Sequence, residues 1–297
     1  LHNTGHSFPT RRSSDLVIDS AKIISLAAVH DIDAWDIVSY KTKPIKNIPL
    51  IAVLTLAATG TEMNGTAVIQ NNLTKEKIGF KNKLIYPQHS FLDPSYTLSV
   101  PKNYTAYGIV DIISHVLEAF FGYGDASLSD RFAVSVIKET IEYGKLLIND
   151  LTNYNYRSNI MYASTCALNG MLSIGRAYGD WGTHAIGHCL SVLYDIPHGA
   201  TLSIVFPAWM IHNKEKIENR LLYLGKEIFN VNSSDETINN FISFFKEIGA
   251  PVSLSELNIP NFNKQEFIGT LIKNKATGFN IKLTYNDYLC ISNLIMA

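Results

Sequence analysis

The distribution of apolar residues along the chain changes character near Pro101. Before it, apolar positions at helical spacing predict a helix over Val17–Val29. A continuous apolar and β-branched run at Ile48–Leu56 predicts a strand that is buried on both faces. Shorter runs predict further strands at Thr66–Gln70 and within Leu84–Asp93. This mixture of helix and strand signals is typical of an α/β domain.

After Pro101 the strand signals fade and helical periodicity takes over. We predict helices at Tyr104–Phe121, Ser129–Leu151, Ser158–Ala177, Gly182–Tyr194, Thr201–Asn213, Ile217–Phe229, Asp235–Ile248, Lys264–Asn274 and Tyr285–Met296. Ser234 is the expected N-cap of the helix that starts at Asp235, and Gly249-Ala250-Pro251 ends that helix. The pattern therefore predicts a truncated α/β domain over residues 17–101 and an all-helical domain over residues 102–297.

Three of the nine histidines lie in one apolar segment, Gly179–Met210. His184 and His188 are four residues apart and share one face of a predicted helix, whereas His198 follows the turn signal Asp195-Ile196-Pro197. Imidazole is the commonest protein metal ligand and a common acid–base group near neutral pH. Each histidine taken alone also fits a hydrogen-bonded core residue. Their concentration in one segment favours a metal site.

A second pair with ligand chemistry lies on the first helix of the helical domain. Asp111 and His115 are also four residues apart and stand among apolar neighbours. The pair is able to bind one divalent cation, or to form a simple hydrogen bond within the helix. A set of one aspartate and three histidines suits Zn²⁺ or Fe²⁺, and it does not suit Ca²⁺ or Mg²⁺, which prefer oxygen ligands. Four histidines are candidates for these three positions: His115, His184, His188 and His198. The spacing does not decide which of the four is not a ligand.

The loop that follows the first predicted strand, Ala57–Glu62, consists mostly of small residues. Small residues at the carboxyl end of a strand let backbone N–H groups approach a phosphate, although most such loops are only turns. Lys75, Lys77 and Lys83 lie beyond this loop, and the ordinary role of such lysines is a solvated surface charge.

The composition narrows the class of protein. A hydrophobic content of 46% with 17% charged residues indicates a globular chain, and a net charge of −1 argues against nucleic-acid binding. Every long apolar run is interrupted by Asp, Lys or Pro, so we expect no membrane span. Three cysteines without a CxxC pair fit free thiols in a reducing compartment, and we expect a cytoplasmic protein.

The first sixteen residues are set apart from the rest. Residues 6–16 read HSFPTRRSSDL, which resembles the translation of a short sequencing adapter, and they have no periodicity. We therefore expect residues 1–16 to be an artefact and the authentic sequence to start near Val17.

Five motifs together resemble those of the iron-dependent (group III) alcohol dehydrogenases, in the branch of NADP-dependent butanol dehydrogenases and aldehyde reductases. The motifs are TGTEMN (Thr59–Asn64), LDPSYT (Leu92–Thr97), GIVDIISHVLE (Gly108–Glu118), GDWGTHAIGH (Gly179–His188) and HGATLSIVFPAWM (His198–Met210). The resemblance runs from about Val17 to the C-terminus. It implies a Rossmann-like nucleotide-binding domain followed by a helical metal-binding domain, with the active site in the cleft between them.

The resemblance also implies the roles of individual residues. The metal ligands fall on Asp111, His115, His184 and His198, and His188 becomes a catalytic residue near the nicotinamide. The cofactor-binding positions fall on Asp19, Thr55, Leu56, Gly60, Asn64, Lys77 and Tyr96. Ala57 and Thr61 stand where the family usually has Pro and Ser, and neither change removes a backbone donor. The family's Gly-Gly-Gly-Ser phosphate loop is expected just before Val17, where residues 13–16 read SSDL.

The expected activity is hydride transfer between NAD(P)(H) and a primary alcohol or aldehyde such as butanol or butanal, with Fe²⁺ or Zn²⁺ as the metal and a homodimer as the assembly. Alternatives are a related glycerol dehydrogenase, a dehydroquinate synthase-like lyase, or a non-catalytic fragment. The lyase is expected to have more basic residues near the metal than the apolar run Ala200–Met210 provides. The sequence leaves open the preferred substrate, the metal and the choice between NAD and NADP.

Overall fold

The computed structural model describes residues 14–257, 259 and 262–297. Its helices are α1 (Ser14–Ala27), α2 (Ala34–Val38), α3 (Lys102–Phe120), α4 (Ser127–Asn149), α5 (Tyr154–Leu168), α6 (Gly182–Tyr194), α7 (His198–His212), α8 (Glu218–Leu224), α9 (Ser234–Glu247), α10 (Lys264–Lys273) and α11 (Tyr285–Leu294). Its strands are β1 (Ile51–Val53), β2 (Thr66–Asn71), β3 (Glu76–Lys81) and β4 (His89–Phe91). Most of the expected artefact segment, residues 1–13, lies outside the described residues.

All described strands lie before residue 101, and they form two separate pairs. β1 and β4 are parallel, with Ile51 opposite His89, whereas β2 and β3 form an antiparallel hairpin, with Thr66 opposite Lys81. Helix α1 packs on β2 and on α2. A small apolar core holds this part together, and it consists of Ile23, Leu26, Ile37, Val38, Ala67, Phe80 and Ile85.

The prediction for the first strand was wrong in length and in burial. The strand covers only Ile51–Val53, and Ile51 and Val53 are 65% and 46% exposed. Alternate side chains of a strand point to opposite faces, so only Ala52 and the following Leu54 reach the interior. The sequence prediction also missed β3, because its sequence EKIGFK carries too many polar residues to stand out as a strand.

The helical domain follows the predicted periodicity, but several boundaries differ from the prediction: the helices predicted to start at Tyr104, Ser129 and Ser158 start at Lys102, Ser127 and Tyr154, and α8 ends at Leu224 rather than Phe229. The helix predicted over Ser158–Ala177 ends at Leu168, because Gly170 has a φ of +96° that a continuing helix does not allow. Helix α7 begins at His198 rather than Thr201, directly after Pro197. The side chain of Ser233, not Ser234, caps α9 by accepting a hydrogen bond from the Glu236 amide at 3.4 Å.

Helix α3 is the centre of the helical domain and is almost wholly buried between α4, α5 and α7. Two glycines bring its neighbours unusually close. A Cβ on Gly199 would lie 2.1 Å from the carbonyl oxygen of Tyr107, so the start of α7 touches the backbone of α3. A Cβ on Gly108 would lie 2.5 Å from the carbonyl oxygen of Ala57, so α3 also touches the loop after β1. These contacts fix α3 against both α7 and the α/β part of the chain.

None of the helices within the described ranges is long and apolar enough to cross a lipid bilayer.

Candidate active site

A cavity of about 910 Å³ lies between the α/β part and the helical domain. The β2–β3 hairpin lines it on the α/β side, and one face of α3, one face of α6 and the start of α7 line it on the helical side. The predicted site residues that line this cavity are Asp19, Leu56, Asn64, Lys77, Asp111, His115, His184, His188 and His198. Thr55, Gly60 and Tyr96 lie outside its lining.

Three of the predicted metal ligands converge in this cavity from three different helices. Asp111 lies on α3, His184 lies in the first turn of α6, and His198 is the first residue of α7. One ligand atom from each residue lies within 4.8 Å of the other two. The Asp111 Oδ1 atom is 3.7 Å from His184 Nε2 and 3.8 Å from His198 Nε2.

His115 stands beside this group of three. Its Nδ1 atom is 3.7 Å from Asp111 Oδ1, one helical turn along α3. Its ring is stacked on that of His184, with ring centroids 4.7 Å apart. The structure therefore brings three of the four predicted ligands together and places the fourth, His115, in contact with two of them.

Several atoms at this point are buried without a hydrogen-bond partner. They include Asp111 Oδ1, His115 Nδ1 and His184 Nε2. A buried polar atom without a partner costs about 1–3 kcal/mol, so native structures rarely tolerate three in one place. A divalent cation bonded to these atoms would remove that cost. The carboxylate and imidazole donors fit Zn²⁺ or Fe²⁺.

Glu118 is a site residue that the sequence analysis quoted but did not assign. It is fully buried on α3, and its carboxylate accepts hydrogen bonds from His184 Nδ1 at 2.9 Å and from the His184 amide at 3.1 Å. The Trp181 amide and the Thr183 hydroxyl donate to the same carboxylate. The bond from His184 Nδ1 to Glu118 turns His184 Nε2 toward Asp111. This arrangement is common for metal-bound histidines. The sequence does place Glu118 on the same side of α3 as the proposed ligands, because positions 111, 115 and 118 share one helical face.

The electrostatics of the cluster follow from burial and from the two carboxylates. Burial alone raises the pKa of Asp111, but the three neighbouring imidazoles hold it below its ordinary value. Burial lowers the pKa of His184, yet its contacts with Asp111 and Glu118 outweigh burial and raise the pKa to about 9. Burial lowers the pKa of His115 to about 4. Without a cation, His184 is thus the charged imidazole of this group near neutral pH.

His188 lies one helical turn beyond His184 on α6. Its ring centroid is 5.0 Å from that of His198 and 6.4 Å from that of His184. Burial, and then the nearby cation of Lys77, hold the pKa of His188 well below its usual value. His188 is therefore a neutral imidazole that lines the cavity beside the group of ligands.

On the α/β side of the cavity, Asp19 belongs to a cluster of bonded polar side chains. Its Oδ1 atom accepts from the Thr61 hydroxyl at 2.6 Å, and its Oδ2 atom accepts from the Val68 amide at 2.8 Å. Lys22, which is wholly buried, donates to the Thr61 hydroxyl, to the backbone and side-chain oxygens of Asn64, and to the Thr66 carbonyl. Asp19, Lys22, Thr61 and Asn64 are called the Lys22 cluster below.

The three lysines beyond the loop have different environments. Lys75 and Lys83 are exposed, in line with solvated surface charges. Lys77 is half-buried on β3 and lines the cavity. Burial lowers its pKa to about 8, although Asp111 and then Asp19 oppose that shift. Lys77 therefore presents an ammonium group to the cavity near neutral pH.

Two family models match this chain, one on each side of residue 101. The model of the Fe-containing alcohol dehydrogenase family, C-terminal region, covers residues 105–286. The model described as iron-containing alcohol dehydrogenase covers residues 16–94.

Individual relatives agree with these matches. The chain is 42% identical to the probable NADH-dependent butanol dehydrogenase 1 of Bacillus subtilis, over 93% of this chain and 73% of the relative. It is 36% identical to the NADPH-dependent aldehyde reductase YqhD of Escherichia coli, over 82% of this chain and 65% of the relative. The crystal structure of NADH-dependent butanol dehydrogenase A from Thermotoga maritima superposes with a TM-score of 0.90 at 38% identity, covering 95% of this chain and 74% of that one.

The fold, the cavity and these matches define an oxidoreductase of the alcohol dehydrogenase class, with the two-part fold of its structural neighbours. The chain belongs to the iron-containing alcohol dehydrogenase family. The fold and the activity class expected from the sequence are thereby confirmed. The individual roles of the site residues and the domain boundary at residue 101 stay predictions.

Proposed function

We propose that this enzyme interconverts primary alcohols and aldehydes of the butanol and butanal type, with NAD(P)(H) and with Fe²⁺ or Zn²⁺ held by Asp111, His115, His184 and His198. The observation that carries the proposal is the convergence of three buried, unpartnered ligand atoms in the cavity between the two parts of the fold. The similarity to butanol dehydrogenases and to an aldehyde reductase supports the substrate class.

A divalent metal in this site supplies a Lewis acid next to the substrate carbonyl, and the nicotinamide supplies or accepts the hydride. The residues of the chain would bind and orient the metal and exclude water from the place where the nicotinamide reacts. Asp111 contributes the one anionic ligand, and Glu118 keeps the His184 ring in a fixed orientation. Burial of Asp111, His115 and His184 in the cavity wall excludes bulk water around them, which strengthens the electrostatic interactions there, while His198 stays partly exposed to the cavity.

We assign the cofactor to the α/β side of the cavity. The proposed contacts are Asp19, Thr55, Leu56, Gly60, Asn64, Lys77 and Tyr96. Four of these seven, Asp19, Leu56, Asn64 and Lys77, line the same cavity as the ligand group, which supports the assignment. Lys77 offers an ammonium group to the anionic part of the cofactor.

His188 has the position of a group that carries a proton between the cavity and its surroundings. It is a neutral imidazole, and such a ring passes a proton on by accepting it at one ring nitrogen and releasing the proton of the other. An alternative is that it only holds its neighbours by hydrogen bonding. In a His188→Asn variant, proton transfer predicts a lower kcat whose pH profile has changed. A purely structural role predicts a lower kcat with the wild-type profile.

The experiment for the main proposal follows nicotinamide absorbance with butanal and either NADH or NADPH. We expect turnover by the metal-loaded enzyme and none after His184→Ala. The matched control is His212→Ala, which removes a half-buried histidine bonded to Asp287, away from the cavity lining. Equal butanal turnover by wild type and His184→Ala would contradict the proposal.

We also propose a homodimer that acts in the cytoplasm. The resemblance to the family supports the dimer, and three free cysteines fit a reducing compartment. Light scattering coupled to size-exclusion chromatography tests the dimer, and a monomeric mass at micromolar concentration would contradict it.

A further inference from the structure

Trp181 has an unusual backbone conformation directly beside the ligand group. Its φ is +67°, a left-handed conformation that bulky residues rarely adopt. Such strain persists only where surrounding contacts enforce it, and it is concentrated at functional sites. Here the Trp181 amide donates to Glu118, and the next amide, of Gly182, donates to Asp180 at 3.0 Å. The fold therefore holds this residue in a strained state next to the proposed metal ligands.

The result of this conformation is a fixed position for the indole ring. The ring centroid lies 5.3 Å from that of His184 and 6.1 Å from that of His115. Gly179 leaves space for the ring, because a Cβ there would lie 2.7 Å from the indole nitrogen. Trp181 is half-buried, and it belongs to the lining of the cavity. A flat apolar surface thus stands immediately beside the point where the ligand atoms converge.

A second aromatic side chain lines the same cavity from a different segment. Phe279 is 60% exposed, although it is a large apolar residue. Its segment is tied to the Trp181 segment, because the Phe279 amide donates to the Asp180 carbonyl at 2.6 Å and the Ile281 amide donates to the Asp180 carboxylate at 2.7 Å. Asp180 is wholly buried, so it joins the two aromatic segments through its own backbone and side chain.

From these contacts we infer that Trp181 is the specificity-determining residue of the proposed reaction. Its indole is the wall against which the unbranched alkyl chain of the aldehyde or alcohol packs, while Phe279 bounds the chain further along. The inference rests on the proposed aldehyde reductase function. It adds a physical reason for a preference for longer unbranched aldehydes over shorter ones. Each additional methylene group that an apolar wall covers raises kcat/KM by up to about fourfold when the group is fully buried.

The kinetic test compares kcat/KM for propanal, butanal, pentanal and hexanal in wild type, Trp181→Phe and Trp181→Ala. Every replacement other than glycine keeps the left-handed strain, so the comparison isolates the ring. We expect a rise with chain length in wild type, a weaker rise in Trp181→Phe and a flat profile in Trp181→Ala. The matched control is Trp35→Phe, which removes a tryptophan packed against the small apolar core, and we expect it to keep the wild-type profile.

A binding test does not depend on turnover. Hexanamide has an unreactive carbonyl on a similar chain, and its binding is followed by tryptophan fluorescence. We expect hexanamide to change the emission of wild type and of Trp35→Phe, and to leave that of Trp181→Phe unchanged. The same change in all three proteins would overturn the inference, because the signal would then come from Trp209.

The outcomes separate the inference from the proposed function. Aldehyde turnover with an unchanged chain-length profile in Trp181→Ala, or with a raised KM for NAD(P)H alone, would overturn the role of Trp181 and leave the proposed function standing. Binding of hexanamide at Trp181 without turnover of any aldehyde would contradict the proposed function. A rise with chain length that only the Trp181 variants lose would support both.

Discussion

Two polar clusters on opposite sides of the cavity satisfy their polar groups in opposite ways. On the helical side, Asp111, His115 and His184 keep buried ligand atoms without partners. On the α/β side, every side-chain polar atom of the Lys22 cluster has a hydrogen-bond partner within the protein. The first arrangement suits a resident metal that completes the site. The second suits a cofactor that binds and dissociates, because the polar groups of the Lys22 cluster are already hydrogen-bonded when no cofactor is bound.

The largest expected effect is the loss of the metal in Asp111→Asn. This change removes the only carboxylate among the proposed ligands and keeps the size of the side chain. We expect metal analysis after gel filtration to find no bound Zn²⁺, while circular dichroism shows a folded protein. The control is Asp287→Asn, since Asp287 also contacts a histidine, His212, but lies away from the cavity lining. Equal metal content in both variants would contradict the contrast between the two sides.

The next largest effect concerns the α/β side and is a loss of stability. In Lys22→Met the oxygens of Thr61, Asn64 and Thr66 lose their shared donor, and Asp19 loses a neighbouring cation. We expect the free energy of unfolding to fall by about 3–5 kcal/mol, as for other broken buried ionic clusters. Urea denaturation of the metal-free protein measures this change.

Lys41→Met is the matched control for Lys22→Met, because Lys41 pairs with Asp36 at the surface. We expect that change to cost less than about 1 kcal/mol. Similar losses in both lysine variants would show that the Lys22 cluster is not what stabilises this side of the cavity.

A smaller effect is expected from Glu118→Gln, which weakens the support of a ligand and leaves the ligand itself in place. The neutral amide accepts a weaker hydrogen bond from His184, so we expect a 10–100-fold loss of metal affinity. Competition with a chromophoric chelator measures the affinity. Glu247→Gln, which alters an exposed pair with Lys145, is the control, and an unchanged affinity in both would refute the role of Glu118.

The smallest effect for a single pH unit is the pH dependence of metal binding. The pKa of His184 is raised to about 9 in the metal-free protein, so this imidazole must release a proton before its Nε2 atom binds a metal. His115, with a pKa of about 4, is already neutral. Affinity should therefore rise by about tenfold per pH unit between pH 6 and 8. Calorimetry in buffers of different ionisation enthalpy should find about one proton released, and no release would contradict this assignment.

What the sequence predicted well depends on local spacing. The pairs Asp111–His115 and His184–His188 are four residues apart, and the helices that carry them formed where the periodicity placed them. Residues on one helical face stay together whatever surrounds the helix. The turn signal Asp195-Ile196-Pro197 placed His198 in a new segment, although α7 begins at His198 itself and not at Thr201 as predicted.

What the sequence did not predict depends on distant partners. Glu118 and His184 are 66 residues apart, and Lys22 bonds to atoms about 40 residues away, so no local spacing reveals either contact. The exposure of Ile51 was missed for the same reason, because burial of a strand is decided by what packs on each face. The left-handed conformation of Trp181 was missed for the same reason, because the Trp181 amide donates to Glu118, which is 63 residues away.

The most direct test of the central claim is X-ray absorption spectroscopy of the Zn²⁺-loaded protein. We expect a shell of nitrogen and oxygen atoms at about 2.0–2.1 Å, with the outer-shell scattering of three imidazole rings. The same spectrum of Asp111→Asn should lose this pattern. A sulfur shell at about 2.3 Å, which would point to a cysteine, or a spectrum without imidazole scattering would contradict the assignment of Asp111, His115, His184 and His198 as the metal site.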